Sequence, residues 1–314
     1  MPKRTIKKAF GRETRSARRP DDRVAAVPQK RGGERATSLL NAAPRCKSRR
    51  RARSIIDAYG IEVIALKAAY VANPGRRALI LDDSQSCGVE EYVCRYFSQL
   101  GYSTAILENN PIHVLFGTFM WPVIQDAGDR RGRIVGFPDR QAYDAARTGE
   151  FIWSRLPADF GKPEYAIRRA KQIKKHMAAI TAERHDLRSL FDRWLRPSSD
   201  LRNYLWAHRP EHIEVARQLI DVIPADALLE ILRYLIEHYW GRRAGWPDLL
   251  VYRRKEFFLL EVKSARDNLG AAQKAWIRDN HQRLHLPFRL VKIVPQSAVQ
   301  SGSAAATRLQ RAPS

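Results

Sequence analysis

The stretch Asp248 to Lys263 constrains this chain more than any other. Two apolar runs, Leu249 to Tyr252 and Phe257 to Leu260, are separated by the charged segment Arg253 to Glu256. That pattern predicts a β-hairpin of mostly buried strands. Side chains alternate along a strand, so Glu261 and Lys263 share one face and Val262 takes the other. Asp248, at the mouth of the hairpin, can reach the face of Glu261. Burying an unpaired charge costs several kcal/mol, about the net stability of many whole domains, so these charges must be paired or must hold a cation. The simpler account is a strand-end salt bridge between Glu261 and a neighbouring Lys or Arg.

Two carboxylates at neighbouring strand ends suit a hard divalent ion such as Mg²⁺ or Mn²⁺, and leave positions open for water and a phosphate. A lysine beside them can orient an attacking water and offset charge building on phosphorus. Pro247-Asp248, twelve residues, then Glu261-Val262-Lys263 resembles the PD-(D/E)xK nuclease signature. Gly245, Trp246 and Pro247 before it, with Ser264, Asp267, Leu269, Gln273 and Trp276 after it, narrow the resemblance to the VRR-NUC domain.

Further upstream, Val89, Val93, Tyr96, Phe97 and Leu100 recur at helical spacing, and Gly101 ends the segment. Glu90 lies at the border of the apolar stripe and Glu91 on the solvent side, which makes Glu90 the better inward carboxylate; a solvated first-turn residue is the competing account. Val89-Glu90-Glu91, Tyr96, Gly101-Tyr102, Glu108, Leu115-Phe116-Gly117, Trp121, Phe151 and Arg155 resemble the Fanconi-associated nuclease family. The chain departs from that family's pattern at Leu107-Glu108-Asn109 and Trp121-Pro122, where Gly-Glu-Gly and Trp-Asp are usual.

The resemblance, over roughly residues 85 to 295 by eye, implies an α/β fold: a predominantly helical body with a C-terminal restriction-endonuclease-like mixed β-sheet core flanked by helices. It implies a structure-selective DNA nuclease, a phosphodiesterase that cuts 5′ flaps and digests 5′ to 3′ in DNA repair, including interstrand crosslink repair. Carried onto this sequence, the family's metal ligands are Glu90, Asp248, Glu261 and the Val262 carbonyl, with Lys263 as the catalytic lysine. Gln273 marks the helix beside the metal-bearing strand and is grouped with Arg242, Arg243, Lys171 and Lys174 as a candidate DNA contact; the basic residue that often precedes it is Ala272 here. The cysteines of the family's zinc finger are not in this sequence, nor is a recognisable SAP-type domain, so recruitment through the finger is not expected. Two rival readings stand: a catalytically silent DNA-binding repair scaffold, and a Holliday-junction or restriction-type endonuclease.

Charge agrees with a polyanionic partner. The 314 residues hold 56 Lys or Arg against 33 Asp or Glu, a net charge of +23, and such a field favours DNA first and an acidic membrane surface second. Residues 1–53 carry 18 Lys or Arg against 4 Asp or Glu, which predicts a disordered basic arm, densest at residues 47–53; it suits DNA phosphates or, equally, a solubilising tail. Residues 54–184 are expected to be helical and to carry the Glu90 helix, residues 185–296 to form the nuclease core, and residues 297–314 a loose tail. Without a membrane span or a secretory signal, a cytoplasmic place is expected in a bacterial host and a nuclear one in a eukaryotic host, although an Arg-rich transit peptide also fits the start. Cys46, Cys87 and Cys94 have no paired spacing, which argues for a reducing compartment and against structural zinc. His208, Glu211 and His212 fit a zinc-peptidase HxxEH spacing, but Pro210 disfavours the continuous helix it needs.

Ile55 to Ala72 has helical spacing, Ala78 to Leu81 reads as a short strand or a loop, and residues 126–160 read as loops and short helices. Tyr165 to Ile180 predicts a basic helix whose Arg168, Arg169, Lys171, Lys174 and Lys175 could face a DNA backbone or simply water. Helices follow over 186–195, 200–208, 211–223 and 225–240. Arg242 and Arg243 then stand in a flexible turn next to the predicted metal site, where either could hold a phosphate. Asp267 or Asn268 is expected to cap the next helix, and Pro287 to Val294 to form a third strand.

Overall fold

The computed structural model describes residues 54–71, 79–82, 85–108, 110–140 and 150–296. The expected arm and tail, residues 1–53 and 297–314, lie outside the described residues.

The hairpin forms as its pattern demands. Strands β7 (Leu249–Arg253) and β8 (Glu256–Lys263) pair antiparallel, with Arg253 opposite Glu256 across the turn and Arg254 in the left-handed region. The strand β9 (Phe288–Pro295) then lies parallel to β8, with Glu261 opposite Leu290.

The sheet extends on both sides of this unit. Residues expected to continue a helix from Ile55 instead make a one-turn helix, α1 (Ile55–Tyr59), and then strand β1 (Glu62–Val71), parallel to β9. Ser54 caps α1 through Asp57 N, and Gly60 ends it. Beyond Gly60, burial alternates: Leu66 and Ala68 are buried while Ala65, Lys67 and Ala69 are exposed. The nearly unbroken apolar content of this stretch hides that two-residue period, and pairing on both edges decides for strand.

Strands β2 (Leu79–Asp82) and β3 (Gln85–Gly88) continue from β1, and β4 (Ser103–Ile106) closes the far edge against β7. The seven-stranded order is β3-β2-β1-β9-β8-β7-β4, a mixed sheet to which segments far apart in sequence contribute.

Helix α2 (Val89–Gln99) covers one face. Its Val93 and Phe97 pack with Leu249, Val251, Phe258, Leu260 and Val262. The opposite parity, Leu250 and Leu259, joins the larger core of the helical body. At the centre of that body is α3 (Asn110–Ile124), buried along nearly its whole length; a helix apolar all round must be enclosed. It is enclosed by α5 (Ala170–Ala182), α6 (Leu187–Leu195), α7 (Ser199–Tyr204), α8 (Pro210–Val222) and α9 (Ala225–Glu237), and the one-turn α10 (Tyr239–Arg242) follows α9. No helix of the described residues is long and apolar enough to cross a membrane.

Two expectations fail in the middle of the chain. Residues 126–160 contain a second, separate antiparallel pair, β5 (Gly132–Pro138) and β6 (Phe151–Pro157), which Gly132, Gly136 and the flanking prolines mask at the level of propensity. The basic helix is two helices, α4 (Pro163–Arg168) and α5, broken at Arg169. The break lets Arg168 and Arg169 turn inward. Arg168 meets Asp129 and Asp159 at 2.7 Å each, and Arg169 meets Asp126 at 2.5 Å. Those two arginines are therefore spent within the fold.

Candidate active site

Asp248 sits where the chain enters β7, and its approach is set by the preceding turn. Gly245 has φ of 87°, and a Cβ there would collide with the backbone of Ala272 and Gln273. Only glycine lets the entry to β7 lie this close to helix α11 (Ala271–Asp279). Trp246 is buried against Trp276 of that helix. Asp248 Oδ2 accepts a hydrogen bond from Val262 N at 2.8 Å, which ties the mouth of β7 to the end of β8.

Glu261 is only 2% exposed. Its Oε1 receives Lys263 Nζ at 2.5 Å and also the side-chain amide of Gln273. The other end of the Gln273 amide, Oε1, accepts from Gly270 N at 2.9 Å, so the start of α11 holds Gln273 in place. Gly270, not Asp267 or Asn268, is the cap residue; Asp267 instead accepts a hydrogen bond from Ser264 Oγ. The expected salt bridge between Glu261 and a neighbouring lysine is thus present, and a second carboxyl, that of Asp248, stands beside it.

Electrostatics expose the cost of that arrangement. Burial, reinforced by the charge of Asp248, pushes the Glu261 carboxyl up to about 8 despite Lys263. Burial also raises Asp248, opposed by the Val262 N–H and Lys263 and supported by the charge of Glu90. Asp248 and Glu261 stand within hydrogen-bonding reach of each other. A buried and a half-buried carboxyl that resist joint ionisation are short of positive charge. Oxygen donors in such a setting fit a hard divalent cation.

Glu90, on the first turn of α2, is half-buried, whereas Glu91 is exposed and pairs with Arg95 at 2.6 Å. The α2 periodicity thus sorted the two as expected. Glu90 influences Asp248 through its charge, but among the described residues no three His, Cys, Asp or Glu side chains are gathered closely enough to hold a metal ion. His208 precedes α8, which opens at Pro210, so the HxxEH spacing does not place two histidines on one helix.

Residues 182–292 match the family profile of the VRR-NUC domain. The match covers about a third of the chain. Its relatives include the Fanconi-associated nuclease 1 homolog of Caenorhabditis elegans, 28% identical over 204 residues, which cover 62% of this chain and 22% of that protein. The homolog of Pseudomonas aeruginosa is 26% identical over 206 residues, 64% of this chain and 33% of the relative. The resemblance read from the motifs is borne out, and the chain spans about a fifth to a third of the length of these relatives.

The fold is shared with paFAN1 in its crystal structure bound to a 2-nt 5′-flap DNA with a gap. The TM-score is 0.55 at 22% identity, covering 82% of this chain and 39% of that one. The expected α/β architecture, a helical body on a mixed sheet, therefore holds.

The basic residues assigned to DNA contact divide. Lys171 and Lys174 are exposed on α5, and Arg243 is exposed with its guanidinium 5.4 Å from the Trp240 ring. Arg242 is committed elsewhere: its Nη1 meets Glu237 at 2.8 Å and the Tyr234 carbonyl at 2.6 Å, and it stacks on the Tyr234 ring. Arg242→Ala is accordingly expected to lower stability by about 1–2 kcal/mol and to leave DNA affinity within about twofold; thermal melting and fluorescence anisotropy on the same preparation check both. Gln273, grouped with the DNA contacts on sequence grounds, touches Glu261 instead. The only local hint was a glutamine in the first turn of a helix that follows the Glu-Val-Lys strand.

Proposed function

We propose that this chain is a metal-dependent DNA nuclease that hydrolyses phosphodiester bonds in branched or flapped duplexes. The observation that carries the reading is the mutually opposed pair of half-buried Asp248 and buried Glu261, with Lys263 against Glu261. The similarity of the VRR-NUC domain to Fanconi-associated nucleases supports it, as does the likeness in fold to a protein crystallised with a 5′ flap.

Asp248, Glu261 and the Val262 carbonyl would hold Mg²⁺ or Mn²⁺, with Glu90 as the further carboxylate. When bound, such an ion supplies Lewis-acid stabilisation of phosphate oxygens and lowers the pKa of a water. The protein's own groups do the rest. Gln273 and Lys263 fix the orientation of Glu261. Val262 N fixes Asp248, so neither carboxylate must reorganise during reaction. Lys263 carries the positive charge nearest the pair and is the group that orients the attacking water and offsets charge on phosphorus. Arg243, Lys171 and Lys174 are assigned to phosphate contacts outside the reacting centre.

Lys263→Ala should lower single-turnover cleavage of a 5′-flap substrate by about 10²-fold while flap affinity changes by no more than a few-fold. Wild-type turnover by that variant would confine Lys263 to the ion pair with Glu261. The preference for flaps over other branched DNA, the 5′-to-3′ exonuclease activity and the place in crosslink repair belong to the same proposal, and a panel of flap, nicked, junction and linear substrates tests them.

A further inference from the structure

The β5–β6 pair presents a face that the nuclease chemistry does not use. Phe151, Trp153 and Arg155 alternate along β6 and lie opposite Pro138, Gly136 and Ile134 of β5. Three of these six are large exposed apolar residues: Trp153 is 68% exposed, Ile134 63% and Phe151 57%. The other face of the pair is packed, with Phe137, Ser154 and Leu156 buried. Exposed aromatic side chains at this density on one short ribbon mark a contact surface.

The surface is preformed. A Cβ at Gly136 would come within 2.7 Å of the Trp153 ring, and one at Gly132 would run into the Arg155 guanidinium. The indole and guanidinium are therefore laid down against the β5 backbone, with little rotamer freedom left to lose on binding. Phe151 and Trp153, two residues apart, repeat at about 7 Å along the strand, a spacing that successive unstacked bases can follow.

Charge selects among occupants. Arg155 shares the face of the two rings, and beyond the Gly132 end of the pair is a recess of about 500 Å³ lined by Arg130, Arg131 and Lys162 together with Asp159 and Glu164, which Arg133 enters from the opposite face, where it pairs with Leu156. The Asp159 carboxylate is already shared by Arg168 and Arg131, so the recess is left with an excess of positive charge. Aromatic platforms on a ribbon that ends at a cationic recess fit a single strand of nucleic acid running along the ribbon, with bases on the rings and phosphates at the arginines.

We propose that the β5–β6 face binds single-stranded DNA, with Trp153 and Phe151 as stacking platforms and Arg130 and Arg133, in the recess beyond the Gly132 end of the ribbon, as phosphate contacts. As an account of which strand it holds, the single-stranded arm of a substrate, it rests on the nuclease reading; as a binding site it does not. The ribbon packs through its other face toward Trp240, whose indole donates to the Phe160 carbonyl, and the chain runs from Trp240 through Gly245 to Asp248. A strand held there would be anchored by the segment that leads into the candidate active site.

The test is anisotropy of a short fluorescein-labelled oligodeoxythymidine in EDTA, using the full chain, so that turnover plays no part. Trp153→Leu with Phe151→Leu keeps the apolar bulk and removes the rings; affinity should fall at least about tenfold. Trp153→Phe, which keeps a ring, should remain within a few-fold of the parent, and affinity for a blunt duplex should be unchanged in all of them. The loss should persist at high salt, whereas Arg130→Gln with Arg133→Gln should flatten the salt dependence instead. Thermal midpoints equal to the parent's show that the variants are folded; if the Leu variant melts early, Trp153→Phe and the arginine pair decide. Equal oligonucleotide affinity in parent and Leu variant overturns the proposal, whether the basic arm alone holds DNA or the face belongs to a protein. So does a parent that does not bind the oligonucleotide. Oligonucleotide binding that depends on the Trp153 and Phe151 rings, in a chain that never cleaves, would leave this site standing and sink the nuclease reading instead.

Discussion

Asp248→Ala should reduce metal-dependent cleavage of a 5′-flap duplex by about 10³-fold with flap affinity nearly unchanged. Asp248 is the carboxylate through which the site is assembled: it receives Val262 N at 2.8 Å and is raised in pKa by burial, with Glu90 adding to the effect. Its removal leaves Glu261 as the one buried carboxylate, already paired with Lys263, and a single neutralised carboxylate is a poor site for a hard dication. Asp248→Asn sharpens the test because the amide oxygen can still accept from Val262 N while the charge is gone. That substitution also relieves the repulsion that raises Glu261, so metal-free thermal stability near neutral pH should hold or rise as activity is lost. Single-turnover rates, anisotropy and melting curves on one preparation separate the three effects. A variant as active as the parent would remove Asp248 from the metal site.

Arg168→Ala should cost about 3–5 kcal/mol of stability, a fall in melting temperature of roughly 6–20 °C for a domain of this size. Arg168 is the common partner of two nearly inaccessible carboxylates: Asp129 through both guanidinium nitrogens at 2.7 and 3.0 Å, and Asp159 at 2.7 and 2.8 Å. Burial opposes ionisation of Asp129, yet the hydrogen bonds from Arg168 and the Arg131 backbone outweigh it and hold the carboxyl below its ordinary range. For Asp159 the Arg168 hydrogen bonds are the leading cause of the same direction. Because both folded-state values are depressed, their stabilisation is complete above the ordinary carboxylate pKa of about 4. It is lost as pH falls through the lower folded values. The parent should therefore melt progressively earlier below about pH 4, and Arg168→Ala should flatten that part of the profile. Melting temperature against pH for both proteins checks the size and the sign together.

The parts of the site that are local in sequence were legible, and the parts made by distant contacts were not. The hairpin declared itself through two apolar runs around a charged turn, and strand alternation put Glu261 and Lys263 on one side. The α2 stripe sorted Glu90 from Glu91 because a helix face needs only its own residues. Strand β1 was hidden, since apolar residues at almost every position erase the difference between a two-residue and a 3.6-residue period. The β5–β6 pair was hidden because its glycines serve Trp153 and Arg155 across the ribbon rather than local propensity. Arg168, Arg169 and Arg242 looked like a basic face for phosphate, but Asp126, Asp129, Asp159 and Glu237 reach them only once the chain has folded. Gln273 gained its contact with Glu261 in the same way.

The central claim is that the carboxylate pair Asp248 and Glu261 performs metal-dependent hydrolysis of DNA. The most direct measurement is single-turnover incision of an end-labelled 5′-flap duplex by the purified protein with Mg²⁺, with Mn²⁺ and with EDTA. The account predicts incision with at least one of the two ions and none in EDTA. Tight flap binding with no incision under any metal, on flap, nicked, junction and linear substrates alike, would contradict it and leave a DNA-binding scaffold.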